Sequence, residues 1–283
     1  MSAISNKNIK ELEKVAAKAR HAMVESLICA GCGHPGGAFS SIDAMIALYF
    51  AIMKINPKNP HWEKRDRFIL SKGHSSVGLY AVLHLRGFFD YKTLLTFRQD
   101  DTLLGGHPDM HKVPGVEMST GSLGHGLSVG VGLAWAAKFD KAKYRTFVLM
   151  GDGETQEGSI WEAAMSANHY KLDNLIGLID RNGIQIDGFT EDIMSLEPYK
   201  AKWKAFGWEI KEIDGHNMRQ LIPTLQSVPF KKGKPSLVIL NTVKGKGISF
   251  MENNPEWHGK ALSGEYGVRA KQEVKLRLKK AYI

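Results

Sequence analysis

The sequence predicts an α/β protein, a three-layer αβα domain built around a mainly parallel sheet. The runs RTFVLM (145–150), NLIGLID (174–180) and SLVILNT (236–242) are apolar almost without interruption, as strands buried on both faces are. Helical patterns at 158–170, 197–206 and 218–227 separate the strands, so each strand connects to the next by a crossover. With 283 residues, 43% hydrophobic and 24% charged, the chain has enough apolar material for one large core, read as a single domain over 1–283.

Residues 8–28 carry Leu12, Val15, Ala16, Ala19, Met23 and Leu27 at the spacing of an amphipathic helix. The glycine-rich GCGHPGG at 31–37 reads as a loop. Ser41 to Lys54 reads as a second helix, with Asn56-Pro57 as its stop. RFILS (67–71) is a short strand, and GHSS opens a helix running to about Arg86. Residues 208–213 supply a further strand, and the chain closes on a basic helical tail. Repeats and low-complexity linkers are absent from the sequence.

The formal charge of +9 suits nucleic acid, phosphorylated small molecules or an acidic partner subunit. The basic residues are mostly scattered, with KKGK (231–234) and VKLRLKK (274–280) as the main clusters, and solvated surface explains both. No nucleic-acid-binding motif has a recognisable spacing. No apolar run reaches the length of a membrane span, and no secretory leader is visible, so the expected setting is the cytoplasm. Cys29 and Cys32 form a C-x-x-C. A redox pair or half of a zinc site is open to them, but a second pair is missing, and packing as small apolar residues at a helix end is the stronger reading.

The chemistry concentrates after RTFVLM, in LMGDGETQEG (149–158). Asp152 sits at the carboxyl edge of a strand, where open α/β sheets bind ligands. Gly151 and Gly153 let the backbone turn and approach closely. Amides at the following helix start favour an anion, and a carboxylate beside a phosphate calls for a cation between them. The next strand ends at Asp180, with Asn182 just beyond. One crossover sets the two strand ends side by side, so that Asp152, the Asn182 amide oxygen and the Ile184 carbonyl can share one Mg²⁺. Taken alone, GDG is more often a plain turn; strand, GDG, helix, strand and Asn in succession is far more restrictive.

GDG followed by 28 residues and Asn resembles the thiamine diphosphate motif, and the segment GDGETQEGSIWEAAMSANHYKLDNLIGLIDRNGIQIDG resembles transketolases. Five more matches follow the transketolase order: GHPGG with His34, SKGHSS with His74, GGHPDM with His107, TGSLGHGLSVGVG over 120–132, and EWHGKAL with His258. The resemblance implies the thiamine diphosphate-binding fold and transfer of a two-carbon ketol unit from a ketose to an aldose, as in the pentose phosphate pathway. It implies thiamine diphosphate held through Mg²⁺, with Ca²⁺ or Mn²⁺ as hard-oxygen substitutes.

By resemblance, His34 and His258 contact substrate oxygens or assist proton transfer, His107 binds the donor's first hydroxyl, and His74 lies near the diphosphate. Imidazoles suit such work near neutral pH. Gly121 comes close to the aminopyrimidine, Leu123 and Ile186 pack against the cofactor, and Glu154 belongs to the diphosphate loop. Many transketolases read G-P-L-G-Q-G where this chain has Ser122 and His125, a departure that bears on local polar contacts. Glu157 and Glu162 are ordinary acids at a helix start in the plain reading. By resemblance they join an acid network between cofactor sites across a subunit interface, half-buried and with shifted pKa values.

Full transketolases are more than twice this length, and their pyrimidine-binding domain follows the matched region. The resemblance therefore implies the N-terminal subunit of a split transketolase. A second chain would supply the pyrimidine half, including an activating Glu and most of the groups gripping a sugar phosphate, in an α2β2 heterotetramer. Two rivals are other thiamine diphosphate enzymes: the α subunit of a 2-oxo acid dehydrogenase, which shares GDG and Asn, and the related deoxyxylulose phosphate synthase, whose chain normally contains both halves. A non-catalytic scaffold that kept the fold is the rival from another class.

Overall fold

The computed structural model describes residues 6–282. Five parallel strands form one sheet: β1 (Arg67–Leu70), β2 (Thr146–Gly151), β3 (Leu175–Arg181), β4 (Glu209–Asp214) and β5 (Ser236–Asn241), in the order β1-β2-β3-β5-β4. Because all five are parallel, their carboxyl ends reach the same rim. The register sets Gly151 of β2 opposite Asp180 of β3, and Arg181 opposite Asn241 of β5. The loops after these strands consequently start as neighbours.

The alternation of side chains along each strand divides the core in two. Phe68, Leu70, Phe147, Leu149, Leu178, Val238 and Leu240 face one layer. That layer comprises α1 (Asn6–Ala30), α2 (Pro35–Ala47), α3 (Ser76–Arg86), α9 (Met218–Gln226) and α10 (Gly264–Ala281). Ile69, Val148, Met150, Ile179, Leu237 and Ile239 face the other, with α5 (His125–Phe139), α6 (Gly158–His169) and α8 (Tyr199–Ala205). Two short helices, α4 (Tyr91–Leu94) and α7 (Thr190–Ile193), lie in connections. The three-layer expectation holds, with β4 as an exception to the apolar pattern: its sequence EIKEID is charged and mostly accessible, as befits a sheet edge that must not recruit another strand.

Two helices depart from the sequence reading. The second begins at Pro35, inside the supposed glycine loop, with proline in the first turn, where its missing N–H costs no helical bond. Two positions of its first turn are glycine because nothing larger fits: a Cβ on Gly36 would lie 2.8 Å from the Trp257 carbonyl oxygen, and one on Gly37 2.8 Å from Ser75 Oγ. The helix α5 was hidden by its glycines. A Cβ on Gly130 would stand 2.5 Å from Val148 Cγ2, so the residue that weakens helix propensity is the one that lets α5 lie against the sheet.

The helical stretch Pro35–Ile52, α2 with its π-helical extension Leu48–Ile52, is long and apolar enough to cross a membrane, contrary to the sequence reading. It is 83% buried inside the fold and serves as a core helix. Cys29 is exposed and Cys32 half-buried, both free, so Cys29 is not the packed apolar residue expected of it.

Candidate active site

The GDG loop leaves β2 and is pinned at once to the loop after β3. Asp152, only 1% exposed, accepts the Gly153 N–H at 2.8 Å on Oδ1 and the Gly183 N–H at 2.7 Å on Oδ2. Gly183, at φ +73°, makes the tight passage that aims its amide back at Asp152. Asn182 Oδ1 accepts the Ile184 N–H at 3.1 Å, and the Ile184 carbonyl accepts from Lys244 Nζ at 2.9 Å. The expected carboxylate, carboxamide and carbonyl thus come from loops in direct contact. The amide and carbonyl oxygens each accept one hydrogen bond and keep a second lone pair.

Burial, with the neighbouring Asp180 next in weight, raises Asp152 to about 6 despite the opposing amides and Arg181. The Arg181 guanidinium, 3.8 Å away, is the cation beside this buried carboxylate, and it leaves the carboxyl raised. No group of three or more His, Cys, Asp or Glu side chains arranged for a metal occurs among the described residues, which leaves oxygen donors of mixed type and suits Mg²⁺ rather than zinc.

Glu154, also buried, accepts from the Gly124 N–H at 3.1 Å, the Gly151 N–H at 3.0 Å and the Ser71 hydroxyl. Its carboxylate joins the ends of β1 and β2 to the loop before α5. With its oxygens committed to protein donors, it braces the loops that the sequence reading assigned to the cofactor.

Four imidazoles gather beside these loops. The His34 ring centroid lies 5.5 Å from His74, 6.5 Å from His107 and 5.7 Å from His258, and His74 lies 5.1 Å from His258. They come from the start of α2, the turn after β1, the loop before α5 and the segment after β5, so the sheet topology alone unites them. Burial lowers all four; the Lys72 ammonium adds to the effect on His74, Arg98 to that on His34 and His107, and Lys244 to that on His258, which falls to about 3. At neutral pH the cluster is uncharged. Lys244 Nζ lies 2.9 Å from His258 Nδ1; a donating ammonium there puts the imidazole proton on Nε2. His34 Nδ1 is buried without a partner, a polar atom that a bound molecule can satisfy.

Residues 12–281 match the family described as transketolase, thiamine diphosphate binding domain. The chain belongs to this family. It is 48% identical over 272 residues to an apulose-4-phosphate transketolase subunit of Phocaeicola vulgatus, covering 96% of both chains. It is 44% identical over 264 residues to the 6-deoxy-6-sulfo-D-fructose transketolase subunit SqwG of Clostridium sp. strain MSTE9, covering 93% of this chain and 96% of that one. The solved transketolase from Campylobacter jejuni superposes with a TM-score of 0.85 at 32% identity, over 98% of this chain but 46% of that one. The chain is thus a transketolase-type N-terminal subunit with a thiamine diphosphate-binding fold, about half the length of that single-chain transketolase.

Within this transketolase domain, the structure separates the expected residues into two groups. His34, His74, His107, His258, Asp152, Asn182 and Ile184 converge. Gly121 lies against the His107 ring, where an added Cβ would stand 3.3 Å from it, and Leu123 is half-buried nearby in sequence. Ile186, 66% exposed, presents an apolar side chain from the loop that carries Asn182. Glu157 and Glu162 are exposed at the start of α6 in this chain, on a face that none of the described residues covers; the burial expected of them refers to a subunit interface. His125 is exposed as the first residue of α5 and stands outside the imidazole cluster.

The sequence reading missed Lys244 and Lys72, each at most 2% exposed. Burial pushes Lys244 down to about 8. Lys72 lies within SKGHSS, a motif already quoted, and Lys244 follows the strand SLVILNT; each precedes a glycine, but a lysine in a basic chain carries no signal by itself. A hollow of about 230 Å³ behind the Lys244 segment, lined by Arg20, Asp43, His216 and Lys246 among others, contains none of the candidate site residues.

Proposed function

We propose that this chain is the diphosphate-binding half of a two-chain transketolase. With a second chain supplying the pyrimidine-binding half, in an α2β2 assembly, it transfers a two-carbon ketol unit from a ketose phosphate, or a comparably anionic ketose, to an aldose phosphate. The observation that carries this reading is the contact between the two strand-end loops, Gly183 N–H to Asp152 at 2.7 Å, with the imidazole cluster beside it. The names of the relatives, an apulose-4-phosphate transketolase subunit and a sulfofructose transketolase subunit, support an anionic ketose donor. The free cysteines fit a reducing compartment such as the cytoplasm.

Asp152, Asn182 and the Ile184 carbonyl would hold Mg²⁺, with Ca²⁺ or Mn²⁺ as substitutes, and through it the diphosphate. Gly151 and Gly153 leave room for that approach, and Lys244 and His74 add cationic or hydrogen-bonding donors. When bound, thiamine diphosphate supplies a carbon nucleophile able to cleave the bond beside a ketose carbonyl. Gly121, Leu123 and Ile186 would line the faces of its rings. His258, neutral with its proton on Nε2, donates a hydrogen bond to a substrate oxygen, and the Lys244 contact at Nδ1 holds it in that tautomer. His34 offers the unpartnered Nδ1, and exposed His107 stands at the entrance for a terminal hydroxyl. Glu157 and Glu162 would meet the second chain.

Reconstitution tests this. Ketol transfer is assayed with Mg²⁺ and thiamine diphosphate for this chain alone, for a second chain carrying the pyrimidine half, and for the mixture. Turnover by the mixture only, with ketose donors and not pyruvate, is expected. Robust turnover by the lone chain refutes the split, and pyruvate use in place of ketoses supports the dehydrogenase or deoxyxylulose phosphate rivals. A scaffold would show no metal-dependent cofactor binding in the mixture.

A further inference from the structure

We propose that Asp180 is a positioning residue: it fixes which end of the Asn182 carboxamide faces the metal, and Lys72 is its buried counter-ion. This rests on the reading of Asn182 as a metal ligand. Asp180 is wholly buried at the end of β3. Its Oδ2 accepts from Lys72 Nζ at 2.6 Å, Ser40 Oγ at 2.6 Å and Asn182 Nδ2 at 2.7 Å, and its Oδ1 accepts from Thr242 Oγ1 at 2.6 Å.

Three donors occupy Oδ2 of Asp180 and a fourth holds Oδ1, so the carboxylate is engaged by protein groups, although it lies two residues from Asn182. What it does is take the NH₂ of Asn182. A carboxamide is nearly symmetric in shape, and a flip would turn two N–H groups toward a cation that needs an oxygen. With Nδ2 tied to Asp180 and Oδ1 accepting the Ile184 N–H, the amide has one orientation only. Lys72 makes the arrangement tolerable in the interior. It neutralises Asp180 and also donates to the Gly37 carbonyl at 2.7 Å, tying the first turn of α2 to the same point. Residues following β1 and β5, the end of β3 and the first turns of α2 therefore meet at a single carboxylate, and that carboxylate aims the neutral ligand. Hydrogen-bond partners behind a metal ligand commonly control affinity about 10–100-fold.

The test measures Mn²⁺ affinity of the chain assembled with the second chain, in the presence of thiamine diphosphate, by water-proton relaxation enhancement. The double variant Lys72→Met/Asp180→Leu removes both charges together, so no unpaired buried ion is left. It is expected to bind Mn²⁺ at least about tenfold more weakly than the unaltered chain. Ser40→Ala and Thr242→Val each delete an equally short bond to Asp180 while leaving Asn182 held. They should lower the melting temperature yet keep Mn²⁺ affinity within about twofold. Unchanged Mn²⁺ affinity in the double variant overturns the proposal, as does an equal loss in the two hydroxyl variants, which would mark general loosening.

If circular dichroism shows the double variant unfolded, Asn182→Asp decides. Its carboxylate would face Asp180 across 2.7 Å and turn away, so Mn²⁺ affinity falls despite the added charge. A rise overturns the proposal. Failure of the unaltered assembled protein to bind Mn²⁺ with thiamine diphosphate is a different result: it removes the ligand reading itself, and the positioning role with it.

Discussion

Replacing Lys244 by Met should make the cofactor-free chain more stable and the cofactor-binding chain worse. The Lys244 side chain is only 1% exposed, and burial brings its ammonium from 10.5 down to about 8. That displacement corresponds to about 3 kcal/mol of unfavourable burial at neutral pH. Against it stand its two hydrogen bonds, to the Ile184 carbonyl and to His258 Nδ1, each worth about 1 kcal/mol. Methionine fills nearly the same volume without a charge. The balance favours Lys244→Met by about 1 kcal/mol, or ~2–4 °C in melting temperature for a domain of this size. Thiamine diphosphate would lose a charge-assisted donor worth about 1.5–3 kcal/mol, weakening binding about 10–100-fold. Differential scanning calorimetry without cofactor and isothermal titration with Mg²⁺ and thiamine diphosphate, in the assembled protein, read the two effects. A variant that melts several degrees lower and binds the cofactor normally would show that Lys244 is an ordinary structural cation and that the reasoning is wrong.

Asp152→Asn removes a buried carboxylate raised to about 6; the metal-free chain should gain about 2 kcal/mol while metal-dependent cofactor binding is abolished, as calorimetry would show. Acid should destabilise the chain between pH 7 and pH 5. His74 and His258 titrate lower in the folded state than in the unfolded chain, so the unfolded chain binds more protons and the stability present above about 6.5 is lost as pH falls. Asp152, raised to about 6, opposes this below that pH; after discounting His258 for its partial solvent access, the net loss is about 2 kcal/mol. Melting curves at the two pH values check it, and a flat profile would sink it. Gly130→Ala should cost about 1–3 kcal/mol in a urea titration, because the new methyl would lie 2.5 Å from Val148 Cγ2.

The strands were legible because central parallel strands are apolar on both faces, and β2, β3 and β5 read as such to within a residue. The start of α2 and the whole of α5 were obscured by glycines chosen for contact distance rather than propensity, as Gly36 against the Trp257 carbonyl and Gly130 against Val148 show. In the site, the GDG-to-Asn spacing and the histidine motifs were visible because they sit on loops with little packing role. Lys72, Lys244 and Asp180 were not, since their function depends on partners in other parts of the chain: Asp180 on Ser40 and Thr242, Lys244 on Ile184 and His258. Glu157 and Glu162 are exposed in this chain, and the burial expected of them belongs to an interface with another subunit.

His34 and His258 lie near opposite ends of the chain, yet their rings are 5.7 Å apart. During synthesis the first of them leaves the ribosome long before the second has been made. A nascent polypeptide can therefore close its sheet through β5 and still lack the imidazole that completes the cluster. The two loops that carry Asp152 and Asn182 can then be in contact before the four-ring cluster exists, so the cluster is the later of the two features to form.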